Sequence, residues 1–415
     1  MNVGVVGLGK LGLPLLALLA NSNHKVFGFD ISTKLLDTLR NQECPYLEPD
    51  LAEYLNSGWE NIELTSSIKQ LVHETEICMV IVPTPSQDNG RFDNGAIIEI
   101  CKNIGLALKE SPKMFTVNIV STVMPGSCDG EIKETLENAS GMKVGDLLGV
   151  CYNPEFIALG SVIKDMQYPD MHLLGSNSQK HADRVEKLLK DISQKDVPIR
   201  RMSCVEAELV KISVNNFVTM KIAFANMLGE ISEHLGGLNI DIVTDAIGLD
   251  SRVGSKYLKA GAPYGGPCFP RDTRALGALL NDYGIENSLP EVVANANIAH
   301  QGYLNKTVLE KAGRRKIGVL GLSYKPYTPV IEESPGINLL KFLNNSGANA
   351  YGWDPTVKPS ADGVDSVRVI DSLEDFLEKI EVVVVTRPIP DVDIKHIKDI
   401  ESKFEVIDFW RQDFN

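Results

Sequence analysis

Short apolar runs alternate with helical stretches along residues 1–200. "VGVVGLG", "KVFGFD", "ICMVIVPTP", "MFTVNIVST" and "LLGVCYNPEF" are each a brief β-rich run ending in turn residues. Between the first two lies "LPLLALLAN", an apolar helix. Strands that alternate with helices predict a parallel, doubly wound sheet.

The pattern then changes. "CVEAELVKISVNNFVTMKIAFANMLGEISEHLGG" has no Pro, and its first Gly is Gly229. Its apolar positions recur at helical spacing up to a Gly236-Gly237 stop, which predicts one helix over about 205–235. So long a helix joins two lobes or packs on a second copy of the chain. Helical segments continue to about residue 310.

From "RRKIGVLGLSYKP" the first pattern returns. "VGVVGLG…KVFGFD" and "IGVLGLS…NAYGWD" share a strand, turn, helix, strand, acid layout. Gly7 to Asp30 spans 23 positions and Gly321 to Asp354 spans 33, and the ten extra residues fall in "YKPYTPVIEE". "VVVVTRP" and "FEVIDFW" supply two more buried strands. The expected architecture is α/β: two Rossmann-like doubly wound parallel-sheet domains joined by a long central helix and a helical middle domain. The expected boundaries are 1–200 for the first nucleotide-binding domain, 201–310 for the helical, dimerising middle and 311–415 for the second nucleotide-type domain.

Composition narrows the function classes. At 415 residues, with 43% hydrophobic and 23% charged positions, the chain is an ordinary globular protein. A net charge of -14 argues against a nucleic-acid partner. No apolar run is long enough for a bilayer, and the N-terminus enters a strand with no signal-peptide pattern. Seven cysteines without a CxxC pair suggest free thiols in a reducing cytoplasm and no metal site.

Gly7-Leu8-Gly9-Lys10-Leu11-Gly12 is a GxGxxG that follows a strand and opens a helix, with Asp30 at the next strand end. Gly7 permits the tight turn, Gly9 admits a pyrophosphate to the backbone, and Gly12 allows close helix packing. The helix N-terminus suits phosphate, and Asp30 suits ribose hydroxyls, so NAD is the expected cofactor in preference to NADP. The second copy lacks the second and third glycines, and its turn "GLSYKPYT" is bulkier. Lys325 there can meet a phosphate. Either NAD binds the first copy and a nucleotide-linked substrate the second, or the second copy only packs.

Lys211 and Asn215 lie four residues apart on the long helix and share a face. A lysine among apolar residues ordinarily snorkels to solvent. A Lys and Asn aimed at one point make an oxyanion clamp. In "GAPYGGPCFPRD" three prolines and three glycines bend the chain around Cys268, with Arg271 and Asp272 following. Such a cysteine is a structural turn residue or an activated nucleophile. NAD, a thiol and a carboxylate together can carry an alcohol through aldehyde, thiohemiacetal and thioester to an acid.

The motifs "GLGKLGLP", "IVPTPS", "STVMPGS", "NPEF", "AELVKISVNNF", "LDSRVGSKYLKAG", "YGGPCFPRD", "GLSYKP" and "GWDP" occur in order along the whole chain. In this the sequence resembles the UDP-glucose/GDP-mannose dehydrogenase family, nucleotide-sugar 6-dehydrogenases that use two NAD per sugar. The resemblance implies that Cys268 is the nucleophile and that Lys211 and Asn215 stabilise the oxyanion. It implies that Thr122 and Asp272 hold the catalytic water, with Asp272 a candidate base, and that Glu155 serves thioester hydrolysis. Thr84, Pro85 and Thr122 match the loops lining the NAD site, to which Leu11 and Lys34 are added. Phe156, Tyr257, Gly265 and Lys325 join Glu155, Lys211 and Asn215 on the substrate. Arg252 resembles an arginine that reaches the neighbouring subunit's site, which implies a homodimer.

Two positions depart from the family pattern. Leu159 stands where glucose-specific members carry an acid or similar polar group four residues after the "NPEF" Glu. Glu332 stands where an Arg often precedes "ESP". UDP-glucose is the expected substrate and polysaccharide biosynthesis the expected context. A UDP-N-acetylhexosamine or GDP-mannose are alternatives. A two-electron dehydrogenase of the 6-phosphogluconate or 3-hydroxyacid type would need neither the cysteine nor a second nucleotide fold. A catalytically silent nucleotide-sugar-binding protein is the alternative of another class.

Overall fold

The computed structural model describes residues 1–236, 238–390, 392, 400 and 402–411. Gly237 and the last residues of the 311–415 segment, 412–415, lie outside the described residues. The first eight strands are β1 (Asn2–Val6), β2 (Lys25–Phe29), β3 (Ile62–Thr65), β4 (Ile77–Val80), β5 (Phe115–Ile119), β6 (Leu148–Tyr152), β7 (His172–Ser176) and β8 (Ile199–Met202). Their helices are α1 (Gly12–Asn21), α2 (Thr33–Arg40), α3 (Leu51–Gly58), α4 (Ile68–Glu74), α5 (Gly95–Glu110), α6 (Lys133–Ser140), α7 (Val162–Gln167) and α8 (Gln179–Ile192). Then follow α9 (Cys204–Leu235), α10 (Ile240–Leu249), α11 (Phe269–Asp282) and α12 (Leu289–Ala312). The last part holds β9 (Ile317–Leu320), α13 (Pro335–Asn345), β10 (Ala350–Trp353), α14 (Leu373–Glu378), β11 (Val382–Val385) and β12 (Glu405–Asp408).

The chain forms two compact units, Met1–Ser213 and Val214–Asn415. In the first, the strand order is β3-β2-β1-β4-β5-β6-β7-β8. The order reverses between β1 and β4, the crevice where open α/β sheets bind ligands. The expected parallel sheet holds from β3 to β6. At β6 and β7 the direction inverts, with Cys151 opposite Ser176 and Tyr152 opposite Gly175, and β8 runs parallel to β7. Strands β4, β5 and β6 are buried at every position, because helices cover both faces.

The second unit carries a parallel four-stranded sheet, β10-β9-β11-β12, whose order reverses between β9 and β11. Its first turn repeats the N-terminal one at the level of single hydrogen bonds. Gly7 N–H donates to Phe29 O at 2.8 Å and Gly321 N–H to Trp353 O at 3.0 Å. Leu8 N–H donates to Asp30 Oδ2 at 2.9 Å and Leu322 N–H to Asp354 Oδ2 at 2.8 Å.

The expected loss of the third glycine in this copy is corrected by the structure. A Cβ on Gly12 would stand 1.8 Å from Gly7 O, and a Cβ on Gly336 would stand 2.1 Å from Gly321 O. Gly336 therefore serves the same close helix approach, displaced in sequence by the ten inserted residues.

The two acids at the strand ends differ in fate. Asp30 stays half-buried. Asp354 is fully buried and pairs with Arg387 at 3.0 Å. Burial pushes the Asp354 carboxyl up, but the Arg387 guanidinium and backbone amides outweigh this and hold it below its ordinary value. Asp354 is thus committed to locking its own turn. Among the described residues no helix is long and apolar enough to cross a membrane.

Candidate functional site

In the first unit the glycine turn is shaped for a dinucleotide. Gly7 has φ +92, and nothing lies within 4 Å of a Cβ placed on Gly9, so that face of the turn is open to a phosphate. Leu11 precedes α1, which has no side chain capping its first amides. Asp30 accepts from Leu8 N–H and from Ser32 N–H at 2.8 Å, which fixes its carboxylate at the turn. Lys34 is exposed in the first turn of α2. Thr84 Oγ1 donates to Thr122 O at 2.8 Å, joining the loops after β4 and β5, while Pro85 is exposed beside it. These residues fit NAD: an open phosphate turn, a ribose acceptor and two adjoining loops at the sheet's switch point.

Glu155 and Phe156 follow β6, and both meet Lys211 of α9. The buried Lys211 ammonium donates to Glu155 O at 2.6 Å and stands 4.6 Å from the Phe156 ring centroid. Lys211 therefore does not snorkel. Glu155 is half-buried, and desolvation pushes its carboxyl up to about 7 although the Lys211 ammonium pulls it down. It is neutral below about 7 and a carboxylate above. Leu159 is partly buried against the core of the first unit, a packing role that takes no part in a polar network.

The second unit holds the cysteine. Cys268 is exposed and precedes α11, whose first turn carries Pro270. Amides at a helix N-terminus favour negative charge there, which suits a thiolate. The approach to the turn is pinned from two helices. Asn226 of α9 accepts from Gly261 N–H at 2.8 Å. Asn297 of α12 bonds both N and O of Tyr264 at 2.9 Å, and His300 Nε2 meets Gly261 O at 2.8 Å. The Phe269 ring stands edge-on to Tyr257 and Tyr264 at 6.2 and 6.4 Å. Tyr257 has φ 62, a left-handed conformation that is strained for an aromatic residue.

Asp272, one turn into α11, is fully buried. Asn215 Nδ2 donates to its Oδ2 at 2.6 Å, and Arg271 donates to its Oδ1 at 3.1 and 3.2 Å. Arg271 therefore has an ion-pair partner in Asp272. The inserted "YKPYTPVIEE" segment packs on the cysteine turn. Gly266 N–H donates to Glu332 O at 3.0 Å, and a Cβ on Gly265 would stand 2.2 Å from Glu333 O. Glu332 thus contributes its carbonyl while its side chain is exposed. Half-buried Lys325 is held in the same segment, 5.9 Å from the Tyr324 ring centroid. Arg252 is 87% exposed and pairs with Asp250 at 2.6 Å.

Several residues at the site were not singled out from sequence. Asn216 donates to Asp272 O at 3.0 Å. Glu48 accepts from Gly160 N–H at 2.8 Å and Val162 N–H at 2.7 Å, clamping the loop that follows Glu155. Glu208 accepts from Gly126 and Cys128 N–H. A Glu among apolar neighbours in "AELVK" was the available signal for Glu208. Backbone partners such as those of Glu48 leave no sequence trace. Among the described residues no group of three or more His, Cys, Asp or Glu could hold a metal.

Residues 1–193 match the NAD binding domain of the UDP-glucose/GDP-mannose dehydrogenase family, 205–299 its central domain and 318–411 its UDP binding domain. The chain is 30% identical over 362 residues to GDP-mannose 6-dehydrogenase of Pseudomonas aeruginosa, covering 86% of this chain and 82% of that protein. It is 31% identical over 360 residues to a UDP-glucose 6-dehydrogenase of Haloferax volcanii, covering 86% and 83%. The solved structure of a UDP-glucose dehydrogenase from Pyrobaculum islandicum is similar with a TM-score of 0.87 at 30% identity, covering 94% of this chain and 90% of that one.

The Glu155 environment gives a titration prediction. Carbon-13 NMR of glutamate-labelled protein, assigned with Glu155→Gln, should show a carboxyl midpoint near 7. Lys211→Met should move it upward, because the lysine only lowers it. Since the folded value exceeds the ordinary one, Glu155 favours the fold at low pH, and this contribution is lost as pH rises through about 7. A midpoint in the ordinary carboxylate range, or a downward move in the variant, contradicts the assignment.

Proposed function

Since the chain belongs to the UDP-glucose/GDP-mannose dehydrogenase family, we propose that it oxidises the C6 hydroxyl of a nucleotide sugar, UDP-glucose foremost, to the uronic acid through a thioester on Cys268. The observation that carries the reading is the exposed Cys268 at the start of α11, on a turn that asparagines and the Lys325 segment hold from three sides. The 1–200 segment takes NAD, 201–310 takes the chemistry and the subunit contact, and 311–415 takes the nucleotide of the substrate.

Bound NAD supplies the acceptor for the hydride that leaves C6 in each oxidation. Gly7, Gly9, Leu11, Gly12, Asp30 and Lys34 hold it on one side, and Thr84, Pro85 and Thr122 line the other. Asp272, kept in place by Asn215 and Arg271, orders a water with Thr122 and takes the hydroxyl proton in the first oxidation. The Cys268 thiolate then adds to the aldehyde carbon as the C=O π pair moves onto oxygen, giving a thiohemiacetal oxyanion. Loss of hydride from that carbon leaves a thioester. Water, losing a proton to Glu155 in its carboxylate form, adds to the thioester carbon, and the C–S bond breaks to return the thiolate. Lys211 and Asn215, one turn apart on α9, stabilise the oxyanions. Phe156, Tyr257, Gly265 and Lys325 seat the nucleotide sugar.

Two further points support an assembly and a compartment. Phe217, Phe224, Met227, Ile231 and Leu235 of α9 are each 44–65% exposed. A second copy covering them makes a homodimer, and Arg252 then leaves its solvent-screened pair with Asp250 for the neighbouring site. None of the seven cysteines is in a disulfide, which fits a reducing cytoplasm.

Cys268→Ser replaces a good leaving group with a basic alkoxide, so the acyl-enzyme should persist. Mixed with NAD and each of UDP-glucose, GDP-mannose and a UDP-N-acetylhexosamine, the variant should gain the mass of one acyl nucleotide sugar with the true substrate and lose turnover by about a thousandfold or more. No adduct with any of them, together with near wild-type acid formation by Cys268→Ala, rejects the covalent route. The dimer is tested by mixing inactive Arg252→Ala and Cys268→Ala. Shared sites predict recovery of about a quarter of wild-type activity, since half the dimers then carry one intact site. No recovery despite proven subunit exchange, or an active monomer, removes Arg252 from the neighbouring site.

A further inference from the structure

Glu208 is a buried acid that the proposed chemistry leaves without a task. It is 0% exposed and sits on α9 three residues before Lys211. Its carboxylate oxygens accept from Gly126 N–H at 2.5 Å and from Cys128 N–H at 2.8 Å. Burying a carboxylate is costly unless it is fully used, so this is a strongly specified tether between α9 and the segment after β5.

That segment is itself tied to the loop after β4. Val82 N–H donates to Ser121 Oγ at 2.9 Å, and Ser121 Oγ donates to Val82 O at 2.7 Å. Thr84 Oγ1 donates to Thr122 O at 2.8 Å. A path of hydrogen bonds, joined by the backbone of residues 122–126, thus runs from Glu208 to residues 82–84. At its helix end, positions three apart lie on one face, so Lys211 moves with Glu208.

We infer that Glu208 is a positioning residue that sets the two loops of the cofactor side in register with Lys211. A neutral isostere would break one of the two tethers, because an amide NH2 would then face a backbone N–H. The loops would shift relative to the lysine by a fraction of an ångström or more. Misplacement on that scale costs rate without removing any reacting group. The turnover arm of this inference rests on the proposed function. The cofactor-affinity arm rests only on the NAD site.

The test compares wild type with Glu208→Gln, Glu208→Asp, Thr84→Val and the double variant Glu208→Gln/Thr84→Val. NAD affinity is read by fluorescence titration, nucleotide-sugar affinity by calorimetry, and turnover per active site by counting sites with a Cys268 alkylating probe. In Glu208→Gln the NAD Kd should rise by about threefold or more, and turnover per site should fall about tenfold or more. Nucleotide-sugar Kd should stay within about twofold. The NAD effects of Glu208→Gln and Thr84→Val should be less than additive, because both loosen one path. A residue with a merely structural role would lower the number of active sites and leave NAD Kd and per-site turnover at wild-type values, which overturns the inference, as does full additivity. If Glu208→Gln fails to fold, Glu208→Asp and its double variant with Thr84→Val are measured in the same way, and the same outcomes support or overturn the inference. Absence of any nucleotide-sugar oxidation by wild type would reject the proposed function but leave the NAD affinity result decisive.

Discussion

A carboxylate buried from bulk solvent must find most of its partners inside the protein, and Asp272 sets the geometry around the cysteine for this reason. Asn215 and Arg271 supply donors to its two oxygens, and Asn216 takes up its carbonyl. Removing a partner from such a buried charge costs about 3–5 kcal/mol, so the register of α11 on α9 is firmly set. Asp272 N–H donates to Cys268 O at 2.8 Å, so the thiol stands one helical turn from that anchor. The Pro and Gly content of the turn follows. Gly265 lets the Glu333 backbone approach, Gly266 lets the Tyr324 ring approach, and Pro270 suits the first turn of a helix, where an amide hydrogen has no partner to lose.

The same need for internal partners explains the unequal halves of the fold repeat. Both copies use a strand-end acid to hold the first glycine turn. In the first, Asp30 remains half-buried, which leaves it open to the ribose hydroxyls proposed above. In the second, Arg387 closes over Asp354, Gly336 restores the helix contact, and the ten inserted residues pack on the cysteine turn instead. The second copy thus has, in place of a half-buried strand-end acid, a brace that carries Lys325 beside the Cys268 turn.

Much of this was legible in the sequence because it rests on local rules. Apolar runs with turn residues located β1, β2, β4, β5 and β6, and uninterrupted helical periodicity located α9 within a residue of its observed start. The glycine spacing and Asp30 marked the cofactor turn. Other features depend on contacts distant in sequence. Gly336 was missed because the insertion moves it fifteen positions past Gly321, where Gly12 is five past Gly7. The inversion at β6 and β7 follows from how a short α7 returns the chain, which periodicity does not encode. Glu48 and Glu208 bond backbone amides, which every residue but proline carries, so no pairing pattern betrays them. The elevated carboxyl of Glu155 arises from desolvation, a property of the folded surroundings and not of "NPEF".

In the proposed reaction one site, built around a fixed thiol, carries an alcohol through two oxidations without releasing the aldehyde. The most direct check is the number of NADH molecules formed per nucleotide sugar consumed by the wild-type protein, with the product identified by mass. Two NADH per sugar are expected, with a uronic acid as product and no aldehyde that a hydrazine trap can intercept. One NADH per sugar, with the aldehyde recovered in the trap, would contradict that reaction.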